Sequence, residues 1–256
     1  MYAFLSELLS DKKGGAIFSC FGFWHLCYMF VAVVVAVTVI VCVKKKDRET
    51  KQKVSSLFIN AAFGLYIADF FLMPFAYGKI DVEKLPFHVC TAMCVMCFWS
   101  RHSAFLGRYR RQFALLGFLS NLVYLIYPAG LMWYQVQPFS YRVIQTLLFH
   151  GLMTIYGLLV LLFDEAGFAW KRCYRDLAVL VCMTLWALLG NTLYNGQAWG
   201  HTNQFNWFFV TQDPFYLVPE HIAPYIMPFL NVIVFFVAEL LVYVIYFAVK
   251  RTGREG

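Results

Sequence analysis

The chain has 256 residues, 61% of them hydrophobic and only 14% charged, with a formal charge of +7. A soluble domain averages about 45–50% apolar and 25% charged residues, and the excess here falls into runs of roughly 20 apolar residues, the length that crosses a ~30 Å hydrocarbon core. These features exclude a soluble enzyme and point to an all-α polytopic membrane protein; the basic residues sit between the apolar runs, so the positive charge is no argument for a nucleic-acid partner.

A polar lead-in carrying Lys12 and Lys13 precedes a first span predicted over 18–43. That run is too long for a signal-peptide core and ends in Lys44-Lys45-Lys46 without a cleavage pattern, so it is expected to stay in the mature chain. Further spans are predicted over 54–77, 85–100, 112–134 (with Pro128 near its far end), 143–163, 177–194 and 222–249. Seven spans make the loops alternate sides. One side then holds sixteen Lys and Arg and the other five, which places the N-terminus outside and the C-terminus in the cytoplasm. The expectation is one integral membrane domain over 1–256, a seven-helix bundle in the plasma membrane. Seven of the eight cysteines lie within apolar runs and Cys173 lies in a basic loop, which is not the layout of a secreted disulfide framework.

Polar residues inside membrane helices are costly and mark candidate function. Counting 1.5 Å per residue along each span, His25, Asp69, His88 with Cys90, His150, Asn191 with Asn195, and Asn231 all fall toward the outer side. Six of the seven spans thus contribute to one level, whereas Asn60, Asn121 and Glu239 lie deeper or on the inner side. Scattered packing residues would not favour one leaflet. His150 shares a face with Thr146, Thr154 and Gly157, a small and polar stripe suited to the bundle interior.

The stretch Leu85-Pro86-Phe87-His88-Val89-Cys90 enters the third span. Pro86 suits the first turn of a helix, which puts Cys90 in the second turn, near the positive helix end. On a regular helix His88 and Cys90 point to opposite sides, so His150 or His25 is the better base for the thiol. Cys94 and Cys97 share the face of Cys90 but span about 10 Å along one helix, too far apart for one zinc; no metal and no cofactor is expected. The uncharged segment after the sixth span carries Trp199, Trp207, Phe208 and Phe209. These suit a membrane–water interface, either as an anchor or as a lid that points His201 and Asn203 into the outer cluster.

The motifs Trp24-His25-Leu26, Leu85 to Cys90, His150-Gly151 and Gly200-His201-Thr202-Asn203 resemble those of the YwaF-like integral membrane proteins and the transmembrane protein 164 family. The resemblance implies a cysteine-dependent transfer of fatty acyl chains between phospholipids. It makes Cys90 the nucleophile, His150 its partner, and His88 and His25 supporting residues. Phospholipid and lysophospholipid would be the partners, with Asn191, Asn195 or Asn203 as oxyanion donors. The competing expectation is a seven-helix transporter or receptor whose histidines and Asp69 line an outer ligand pocket.

Overall fold

The computed structural model describes residues 2–11, 15–79, 81–132, 134–163, 168–194, 205–213 and 217–252. Among them the regular structure is helical. It comprises α1 (Tyr2–Leu9), α2 (Phe23–Lys44), α3 (Arg48–Ala76), α4 (Val89–Trp99), α5 (Ala104–Gly107), α6 (Arg110–Ile126), α7 (Ala129–Met132), α8 (Tyr141–Phe163), α9 (Cys173–Tyr194) and α10 (Ala223–Thr252). Short 3₁₀ turns cover Val82–Lys84, Trp170–Arg172 and Trp207–Phe209. Six stretches are long and apolar enough to cross a membrane: Phe23–Lys44, Arg48–Ala76, Arg110–Met132, Tyr141–Phe163, Trp170–Tyr194 and Ala223–Ala248. The expected third span is shorter than 85–100: α4 has 11 residues, roughly 16 Å at 1.5 Å per residue.

The chain divides into two compact units. The first comprises Met1–Val82 and Ser120–Phe163. Its centre is α8, with 16 of its 23 residues buried, Gln145, Thr146, His150 and Thr154 among them. Helix α3 packs on α8, α2 packs on both, and α1 packs on α3. The contact face of α3 is legible as a register: Ser55, Ile59, Ala62, Tyr66, Asp69, Met73 and Ala76 are buried at alternating intervals of four and three. That is the seam of coiled-coil-like packing, and it carries Asp69 inside. Asp47 caps the start of α3, accepting from the Thr50 N–H at 3.1 Å, and that capping holds its carboxyl below the usual range. In α2 only His25 and Val43 are buried; most of its remaining residues are apolar and partly or fully exposed, as suits a lipid-facing helix.

Arg142, expected in a loop, is instead a buried residue of the first turn of α8. Its guanidinium lies between the rings of Tyr77 and Tyr134, at 4.0 and 3.6 Å from their centroids, and its Nε donates to Asp11 at 2.8 Å. Aromatic faces and one carboxylate together make that burial tolerable.

The second unit comprises Glu83–Leu119 and Asp164–Gly256. Helices α9 and α10 pack together, and both α4 and the 207–209 turn pack on α9. Cys94 and Cys97 are fully buried, small residues in a close helix contact. Toward the other end of this unit Arg111 Nη2 donates to the Tyr243 hydroxyl at 2.8 Å, and that hydroxyl donates to Asp176. The Arg111 guanidinium also covers the Phe168 ring at 3.9 Å.

Candidate functional site

The stretch that leads into α4 does not begin a helix at Pro86. Pro86 disfavours helical backbone in the residue before it, and the segment's side chains are engaged elsewhere. Phe87 inserts among Trp186, Trp207 and Tyr194, with ring centroids 4.9, 4.9 and 5.8 Å away. It fills the space above Gly190, where a Cβ would sit 2.4 Å from the Phe87 ring. The Pro86 carbonyl accepts from the Trp186 indole at 2.7 Å. With 85–88 held this way, the helix starts at Val89 and His88 is its N-cap, at φ −72 and ψ 141. Cys90 therefore sits in the first turn of α4, not the second. It is half-buried, at a position where the helix N–H groups favour negative charge. The opposite-sides rule for His88 and Cys90 does not apply, because His88 is not on the helix.

Over this helix start lies a strap, Phe205–Val210. Trp207 and Phe208 are fully buried. The indole of Trp207 donates to the Glu83 carbonyl at 3.2 Å and its ring stacks on Phe205. Phe208 and Phe209 both adopt left-handed backbone, at φ 56 and 52, a conformation costing roughly 1–2 kcal/mol per non-glycine residue. Three side chains hold them there. Asn191 pairs with the Trp207 backbone in both directions, at 3.1 and 3.0 Å. Asn231 Nδ2 donates to the Phe208 and Phe209 carbonyls at 2.7 and 3.0 Å. His88 Nδ1 accepts from the Phe208 N–H at 3.5 Å. An accepting Nδ1 puts the proton of neutral imidazole on Nε2. The second unit thus brings together Cys90, His88, Asn191 and Asn231, with the two asparagines spent on holding backbone.

The first unit holds the other expected residues. His25 is fully buried and saturated: Nδ1 accepts from the Phe21 N–H at 2.9 Å and Nε2 faces the Leu125 carbonyl at 2.8 Å. Its role is to tie α2 to the end of α6. His150 has the opposite arrangement. Its Nδ1 lies 2.7 Å from the Thr146 carbonyl, which places the proton on Nδ1 and the lone pair on Nε2, the tautomer of a general base. Tyr124 stacks on the ring, with centroids 3.9 Å apart and planes 14° from parallel. Asp69 accepts from the Tyr141 hydroxyl at 2.8 Å. Neither Tyr124 nor Tyr141 stands out in the sequence, because tyrosine at a span end is ordinary. Asn195, His201 and Asn203 lie outside the described residues. Among the described residues no three His, Cys, Asp or Glu side chains are placed to hold a metal ion.

Long apolar helices that carry buried histidines and a buried carboxylate define an all-α integral membrane protein. The sequence model of the TMEM164 family matches residues 20–249. The chain belongs to that family. No curated protein and no solved structure matches it.

Proposed function

We propose that this protein is an intramembrane cysteine acyltransferase that moves fatty acyl chains between phospholipids. The observation that carries the reading is Cys90 in the first turn of α4, beneath a strained strap. The thiol gives its proton to an imidazole, and the thiolate attacks the carbonyl of a phospholipid acyl ester. Collapse of the adduct breaks the ester C–O bond; the lysophospholipid leaves with that proton and an acyl thioester remains on Cys90. The hydroxyl of an acceptor lysolipid then attacks the thioester, the imidazole takes its proton, and the thiol is restored. His150 is the base that the family resemblance implies, and its Nδ1 lies on the Thr146 carbonyl, which makes Nε2 its acceptor nitrogen. His25 uses both ring nitrogens, and His88 Nδ1 accepts from the Phe208 N–H. The first helix N–H groups of α4 are candidate oxyanion donors, along with Asn195 and Asn203.

Seven crossings, with the N-terminus outside and the C-terminus in the cytoplasm of a plasma-membrane protein, go with this reading. They are supported by the sixteen-to-five division of basic residues. The test is acyl capture: full-length protein in nanodiscs is incubated with phosphatidylcholine labelled in its acyl chain, then treated with hydroxylamine. Hydroxylamine-labile label on the parent protein that is absent from Cys90→Ala is the expected result. Equal labelling of both would reject Cys90 as nucleophile. Proton-coupled uptake that persists in Cys90→Ala would favour the transporter reading.

A further inference from the structure

Five arginines, Arg108, Arg110, Arg111, Arg172 and Arg175, line with Gln112 a cavity of about 60 Å³ where α6 and α9 begin, and none of the described lining residues is acidic. The positive-inside tendency accounts for basic residues in these loops, but not for their gathering round one cavity. The placement also runs against the helix dipole. A helix start carries partial positive charge and unsatisfied N–H groups. Arg110 and Arg111 open α6, while Arg172 and Arg175 flank the first residue of α9, so cations stand at two positive helix ends.

One acidic group, Asp176, interacts with two of these lining residues, Arg111 and Gln112. Asp176 is buried and accepts from Tyr243, which in turn takes the Arg111 donor. Arg111 is fixed in place by Phe168 and Tyr243, and Arg175 Nε donates to the Tyr174 hydroxyl. The Arg110 Nε is buried and makes no hydrogen bond among the described residues. Cations held in this way suit a small anion. Exposed Phe105, Trp170 and Tyr174 flank the cavity, the side chains expected at a membrane–water interface.

The geometry points to a phosphate-binding site at this cleft, filled by the phosphomonoester headgroup of an anionic phospholipid. Basic pockets at helix ends near a membrane surface hold such headgroups, and arginine forks match phosphate oxygens two at a time. Along α9 the site is 16 residues from Asn191, roughly 24 Å, so it is separate from the Cys90 region and does not depend on the acyltransferase reading.

The test uses full-length protein in nanodiscs of phosphatidylcholine alone, or with about 5% phosphatidic acid or about 5% phosphatidylserine, reading retained lipid by native mass spectrometry and Tm. Phosphatidic acid should be retained and should raise Tm more than phosphatidylserine does. Arg110→Gln/Arg172→Gln should lower that retention about tenfold or more, with its Tm in phosphatidylcholine unchanged. Lys45→Gln/Lys46→Gln, which removes the same charge elsewhere, should retain the lipid. If Arg110→Gln/Arg172→Gln misfolds, competition decides: inorganic phosphate at about 10 mM should displace phosphatidic acid from the parent protein. Stabilisation by inorganic phosphate without retention of phosphatidic acid would overturn the lipid source and leave a phosphate site for a soluble ligand. Equal loss of lipid in the two double variants, or no effect of either phosphate source, would overturn the site.

Discussion

Replacing Asn231 with alanine removes both hydrogen bonds that hold the Phe208 and Phe209 carbonyls. Hydrogen bonds between helices and buried backbone contribute about 0.6–1.5 kcal/mol each, so the loss is about 1–3 kcal/mol. That loss acts locally. Phe208 and Phe209 are held at positive φ against a cost of roughly 1–2 kcal/mol per residue, and opening the strap releases that strain. The strap should therefore open well before the helices separate. At 1.4 kcal/mol per tenfold, exchange of the amides across Trp207–Val210 should quicken about 10- to 100-fold, measured by hydrogen–deuterium exchange in nanodiscs. Amides in the middle of α9 and α10 should keep their protection. Unchanged exchange in the strap would refute the view that Asn231 restrains it, and an equal increase throughout α10 would show a loosened helix instead.

Gly190→Ala drives a methyl group into the Phe87 ring and should cost about 1–3 kcal/mol as overpacking; the additional change Phe87→Leu should restore most of the lost Tm. Tyr141→Phe leaves the buried Asp69 carboxyl without its hydroxyl donor and should lower stability by about 1–3 kcal/mol, whereas the Tm of Tyr141→Phe/Asp69→Asn should recover part of that loss.

Helix order and type were legible because apolar runs of membrane length have few alternatives. The predicted span over 143–163 meets Tyr141–Phe163, and that over 177–194 meets Cys173–Tyr194. Amphipathic ends were less legible. Arg142 reads as a loop residue until Tyr77 and Tyr134 are found on either side of its guanidinium, and that contact joins residues 65 and 8 apart in sequence. The late start of α4 escaped detection because Pro86 is equally at home inside or just before a first helical turn; the choice was made by Phe87, Gly190 and Trp186. Tautomers were beyond reach altogether. His25 and His150 look alike as lone histidines in apolar runs, and only Phe21 and Thr146 set their protons on opposite nitrogens.

The pinning of α2 by one imidazole has a consequence in time. Helix α2 buries only His25 and Val43, so nothing obliges it to wait for other helices before entering the bilayer. Yet the Leu125 carbonyl opposite His25 Nε2 is made 100 residues later. At ribosomal rates of about 5–20 residues per second, the imidazole spends about 5–20 s in or near lipid with only its own Phe21 amide as company. A leucine there would enter lipid at lower cost but would leave α2 without its tie to the Leu125 carbonyl.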